Sequence, residues 1–329
     1  MKNRIAYIDN TRAILIVFVV LVHILNAANP DYDIIPYTLT QAFISSFHMP
    51  AFFLLSGMMT DTDRWKNSPW YKFFLRKIQT LIVPYVFFET IAVLYKHFVL
   101  KAVSLTEGLY LMATMRCNVG ADWFLPAMFL AGIIYFLYIK WPNKIFWGIV
   151  AAVCFFTLPF LPKGHWWRLL FRGLLGFVFM VAGNLLKNFL TDFKIWKIIV
   201  AFLLTAICAA VCFKFSLDNS FYTGVLQSPV LSMISGVCGL YFVMGFARLF
   251  HMRWLAWIGE NSLAIMGTHQ LVLYTVPTSS SLLWVVGVFF LIAVIEVIFI
   301  ITVNRFCPFL VGKNRKEPKN ACNTTETSN

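Results

Sequence analysis

Ten times between residues 11 and 303 the chain runs for roughly 20 residues almost without charge, the length a helix needs to cross the hydrocarbon core of a bilayer. The runs cover 11–28, 43–59, 79–96, 123–139, 145–162, 169–186, 196–213, 229–247, 261–277 and 282–303. In hydrocarbon every backbone N–H and C=O must find its partner within the segment, so these runs are expected to be helices. The expected fold class is all-α, a polytopic integral membrane protein of about ten transmembrane helices. Only 12% of the 329 residues are charged and 60% are hydrophobic, where a soluble domain carries about 25% charged residues. No polar stretch is long enough to fold as a second domain. The expected organisation is an N-terminus over 1–10, a single membrane domain over 11–303 and a polar, disordered tail over 304–329.

The net charge of +13 could suit nucleic acid. The basic residues, however, sit between the apolar runs and favour one side, and no nucleic-acid-binding pattern competes with that distribution. With the N-terminus in the cytoplasm, 20 of the 27 Lys and Arg fall on the cytoplasmic side and seven outside. That excess supports two cytoplasmic ends in a cell membrane, the bilayer itself being the surrounding partner. Arg168 and Arg172 are the exceptions, beside the short hairpin at Pro162 to His165. Residues 1–28 also have the outline of a signal peptide ending at Ala27 and Ala28, but removing them would leave nine helices and spoil the charge balance. The seven cysteines follow no disulfide or zinc spacing, so no metal is expected, and Cys208 and Cys212 share a helix face as packing residues. The sequon at Asn323 falls in the expected cytoplasmic tail.

Ionisable residues at membrane depth are costly, so those present are the default candidates for function. They are His23, His48, Glu89, His269 and Glu296, with Asp122 and Trp123 opening the fourth run and Arg12, Arg76 and Lys77 at cytoplasmic mouths. Arg12 and His23 are eleven residues apart, which on a helix leaves them about 20° apart in azimuth and about 16 Å apart along the axis. His48, near the outer end of the next run, should lie at similar depth. A cationic anchor at one mouth and a buried base along the same face suit a long substrate with phosphates at one end and a reactive group at the other, the form of a coenzyme A ester. Histidine can then take the proton of a hydroxyl as it attacks the acyl carbonyl. The structural alternative is a membrane histidine that only bonds a neighbouring helix, and basic residues that only mark topology.

The first run reads IDNTRAILIVFVVLVH, the second FHMPAFFLLSG, the third opens RKIQTLIVPY, and the later pieces are DWFLPAMF at 122–129 and IGENSLAIMGTHQLVL at 258–273. In these motifs, and in their order from residue 4 to about 303, the chain resembles the acyltransferase 3 family of polytopic membrane acyltransferases, nearest the fucose 4-O-acetylase-like branch. The resemblance implies transfer of an acyl group, usually acetyl, from cytoplasmic acyl-CoA to a hydroxyl of a sugar or other envelope molecule. It places Arg12 and His23 at the active centre with Asp9 ahead of the arginine, and it carries Asn261 and His269 in its last motif. Many relatives have Arg-x-x-Arg at the third helix; here Arg76 is followed by Lys77 and, three residues on, by Gln79.

The resulting expectation is an O-acyltransferase using acetyl-CoA, held by Arg12, Arg76 and Lys77, with His23 as general base and His48 orienting His23 or donating to the oxyanion. The acceptor would be a cell-surface or lipid-linked glycan, and no nucleic acid or metal is involved. The rival is a transporter or flippase using the buried His and Glu as a proton relay. A helical scaffold within an envelope complex is a third. The sequence says nothing of oligomeric state or of the acceptor's identity.

Overall fold

The computed structural model describes residues 6–157, 164–249 and 252–313. The end of the fifth expected span beyond 157, His251, and the tail beyond 313 with Asn323 lie outside the described residues. Among the described residues the chain is helical with no strand. It starts with α1 (Ala6–Ala28), α2 (Ile35–Ser45), α3 (His48–Met59), α4 (Thr62–Lys66) and α5 (Trp70–Lys77). It continues with α6 (Val83–Leu94), α7 (Leu105–Ala113), α8 (Phe124–Lys140), α9 (Lys144–Thr157) and α10 (His165–Leu185). The remainder is α11 (Lys187–Thr191), α12 (Ile195–Lys214), α13 (Pro229–Leu249), α14 (Arg253–Glu260), α15 (Ser262–Leu273) and α16 (Leu282–Phe306).

Eight helical segments among these residues are long and apolar enough to cross a membrane, and two shorter apolar helices, Ile145–Cys154 and Ser262–Leu273, fall where the fifth and ninth runs were expected. The order of ten apolar segments is as expected, and the protein is a multi-pass membrane protein. Two spans are built differently from uninterrupted helices. The second is broken between α2 and α3, and the third passes through a π-helical turn at Ile78–Ile82 between α5 and α6. The ninth is shorter than its run because Asn261 interrupts the helix and the chain leaves it again after Leu273.

α1 lies in the interior, packed against α2, α3, α13, α14, α15 and α16. α12 and α16 lie at the periphery with only a minor part of their surface buried, so most of their aliphatic side chains face lipid. Helices in lipid gain no hydrophobic drive toward one another and associate by close contact, which favours small residues at the crossing. The crossing of α3 and α10 shows this on both sides: a Cβ on Gly57 would overlap the Met180 carbonyl, and one on Gly183 would overlap that of Leu54. Gly57→Ala is therefore expected to lower the melting temperature in detergent by several degrees. Gly287→Ala, on α16 with nothing within 4 Å of an added Cβ, should leave it unchanged or raise it slightly. Fluorescence-detected size exclusion after heating measures both.

Candidate active site

The site has two levels joined by α1. At the first, the Arg12 guanidinium holds Asp9 Oδ1 at 3.1 Å and keeps 36% of its side-chain surface exposed. It lines a cavity of about 190 Å³ together with Lys77, Thr80 and Ser262, above an apolar wall that includes Phe52, Leu81, Phe124, Met128 and Met266. Lys77 and Arg76 part company here. Successive residues of a helix point about 100° apart, so when Lys77 reaches the cavity Arg76 cannot. The Arg76 guanidinium lies 5.7 Å from the Trp65 ring centre, on a ring that Arg64 approaches at 5.1 Å.

The start of α15 meets the same cavity through Ser262 and Leu263. The first-turn N–H groups of a helix have no intrahelical acceptor and carry the positive end of its dipole. Two cations and a helix start thus face one opening, an arrangement that attracts anions. Asn261 holds this start in place: it donates to Trp257 O at 2.7 Å and accepts from Asn304 Nδ2 at 2.8 Å and from Lys313. It is a brace between α14, α15 and the end of α16.

The second level holds the histidines. Phe52, Phe124 and Met266, in the cavity wall, stand within one helical turn of His48, of Asp122 and Trp123, and of His269 and Gln270 respectively. The His23 and His269 rings are 5.2 Å apart between centroids and tilted by 46°, and His48 lies within electrostatic reach of His23. His23 keeps part of its surface accessible, while His269 is wholly buried. The expected depth match of His23 and His48 leads to the same region of the bundle. His48 Nδ1 donates to Ile44 O at 2.8 Å, which in the neutral ring leaves a lone pair on Nε2. That is the wrong polarity for the oxyanion donor expected of His48. Among the described residues no group of three or more His, Cys, Asp or Glu has the geometry of a metal site.

Gln270, absent from the candidates raised by the sequence, is the direct partner of His23, with Gln270 Nε2 at 2.7 Å from His23 Nδ1. Gln270 Oε1 accepts from Ala121 N–H at 3.1 Å and from Tyr274 O–H at 3.2 Å. A buried glutamine in an apolar helix is the same signal as a buried histidine, and a search widened from ionisable to all strongly polar residues would have found it.

Ala121 belongs to a short 3-10 turn, Gly120–Trp123, positioned from behind by Glu89. The fully buried Glu89 carboxylate accepts from Asn118 N at 2.8 Å, Asn118 Nδ2 at 2.8 Å and Val119 N at 3.3 Å. Asp122 is wholly buried with no donor to either oxygen among the described residues, and Trp123 is covered by the Arg172 guanidinium, 4.9 Å from its ring centre. Met115 and Cys117, with φ of 56° and 62°, hold this loop in the left-handed region that ordinary side chains avoid; such strain persists where surrounding contacts enforce it. Burial, and then the carboxyl groups of Glu89 and Asp122, push the Cys117 thiol up. A thiol so placed is a poor acyl-accepting nucleophile. Glu296 lies apart from the rings, accepting from Thr268 Oγ1 at 2.8 Å.

A family model described as an acyltransferase domain matches residues 5–303. No curated protein and no solved structure matches the chain.

Proposed function

The chain belongs to the acyltransferase 3 family, and on that premise we propose that it moves an acyl group, acetyl first among them, from acyl-CoA to a hydroxyl of a cell-surface or lipid-linked glycan. The observation that carries this reading is the cavity, cationic at its mouth through Arg12 and Lys77 and apolar along its wall, where Met266 lies within one turn of His269 and Gln270, the partners of His23. The phosphates and nucleotide of the donor stay at the mouth, where guanidinium and ammonium groups bind phosphate through charge-assisted hydrogen bonds. The thioester arm runs along α1, whose Arg12–His23 separation is about 16 Å, and brings the acyl carbon to the histidines. The mouth would face the cytoplasm, where acyl-CoA is found, and the more numerous basic residues lie on that side.

Purified protein in nanodiscs, given acetyl-CoA and an envelope glycan fraction, should release free CoA thiol and acetylate the glycan. Mass spectrometry of glycans from cells with and without the protein identifies the acceptor. Arg12→Gln and Lys77→Gln should each raise KM for acetyl-CoA about 10- to 100-fold with little change in kcat, the scale of one hydrogen bond to a charged group. Arg76→Gln should change it less than about threefold, as expected of an exposed cation. Wild-type protein that neither binds acetyl-CoA nor releases CoA would overturn the proposal.

A further inference from the structure

The bonds around Gln270 decide which nitrogen of His23 carries the proton. A backbone N–H can only donate, so Ala121 N–H fixes Gln270 Oε1 on its own side, and the Tyr274 hydroxyl bonds the same oxygen. The amide nitrogen is thereby turned to His23 Nδ1 at 2.7 Å. Nδ1 is therefore the acceptor of that bond, and a neutral His23 carries its proton on Nε2. His269 is set the other way. Its Nδ1 lies 2.6 Å from the Ile265 carbonyl and must donate to it, so the lone pair is on Nε2. That Nε2 is buried and, among the described residues, has no hydrogen-bond partner. A buried acceptor without a donor is costly, and a substrate hydroxyl is a donor.

We propose that the two rings divide the chemistry of the acyl transfer: His269 takes the proton of the acceptor hydroxyl, and the Nε2–H of His23 holds the negative charge that develops on the thioester oxygen. Gln270 is the positioning residue that enforces this division. In the reaction the hydroxyl oxygen bonds to the acyl carbon as its proton passes to His269 Nε2. The carbonyl electrons move onto the oxygen facing His23 and return as the C–S bond breaks. The thiolate leaves with those bonding electrons and takes the proton back from His269, so the products are an ester and free CoA thiol and both histidines return to their starting state. A neutral imidazole donor to a carbonyl oxygen works this way in other enzymes.

This inference rests on the acyl-transfer reading, and the test separates the two. Acetyl transfer and acetyl-CoA binding are measured on wild type, His269→Ala, His23→Gln, His23→Ala and Gln270→Glu in nanodiscs. The glutamine in His23→Gln can donate an N–H but cannot act as a base, so it should keep at least about tenfold more activity than His23→Ala. His269→Ala should lose transfer about 100-fold or more while retaining acetyl-CoA binding. In Gln270→Glu the carboxylate accepts from His23 Nδ1–H, which moves the lone pair to Nε2 and should lower kcat about 100-fold without raising KM. If Gln270→Glu does not fold, the contrast between His23→Gln and His23→Ala still decides. Equal loss in those two, or near-wild-type transfer by His269→Ala, overturns the division of roles. An inactive wild type that binds no acetyl-CoA overturns the acyl-transfer reading instead.

Discussion

His23→Ala should lower acyl transfer by about 100-fold or more and leave acyl-CoA binding within about threefold of wild type, since both the base and the oxyanion-donor roles carry losses of that size. The separation of the two effects follows from the distance along α1. Arg12 and Lys77 line the cavity mouth, about three helical turns from the ring, so on the proposed reading removing the imidazole leaves the phosphate contacts in place. His23 is also partly accessible, and among the described residues its hydrogen-bond partner is the side chain of Gln270. Its truncation strands no buried backbone group. Isothermal titration with CoA and a thiol-release assay on the same preparation measure both quantities. A well-folded variant with full transfer would remove His23 from the chemistry, and loss of CoA binding in step with transfer would show that the ring supports the donor pocket.

Glu89→Ala should be the most damaging single change outside the histidines, and its first effect should be on stability. The carboxylate accepts from two backbone N–H groups and one side-chain amide, all buried. Each donor left without an acceptor costs about 1–3 kcal/mol, so a loss of about 3 kcal/mol or more is expected, read as a clear drop in melting temperature. Function should follow by a short route. Asn118 and Val119 lead into the 3-10 turn, Ala121 of that turn fixes Gln270, and Gln270 fixes His23. Transfer per folded molecule should therefore fall as well, and Glu89→Gln, which keeps one acceptor oxygen, should be intermediate in both. A Glu89→Ala protein with unchanged melting behaviour would show that the loop holds itself.

The ten apolar segments were legible because hydrocarbon imposes one solution on any run of sufficient length. Arg12 and His23 were legible for a similar reason: they lie on one helix, where spacing alone sets relative position. What escaped lies between helices. Gln270 meets His23 across 247 residues and Ala121 across 149, and no local period encodes such pairs. Arg76 and Lys77 looked equivalent as neighbours, but a helix turns them apart, and which one faced inward depended on the packing of the third span. His48 was expected at the depth of His23 from its place in the run, but its proton arrangement is set by the Ile44 carbonyl four residues earlier. The break at Ser46 and Phe47, where the Ile44 carbonyl also accepts from Phe47 N–H at 3.3 Å, could not be read from an apolar run.

α15 has twelve residues, a length of about 18 Å at 1.5 Å per residue, in a hydrocarbon layer about 30 Å thick. α14, just ahead of it, approaches α1 closely: a Cβ on Gly259 would collide with the Asp9 carbonyl. α15 alone therefore spans only part of such a layer, beside the α1 helix that carries Arg12 and His23. On the acyl-transfer reading, an acyl group passed from a donor at the Arg12 cavity to a hydroxyl on the opposite face would travel beside a helix that spans only part of that layer.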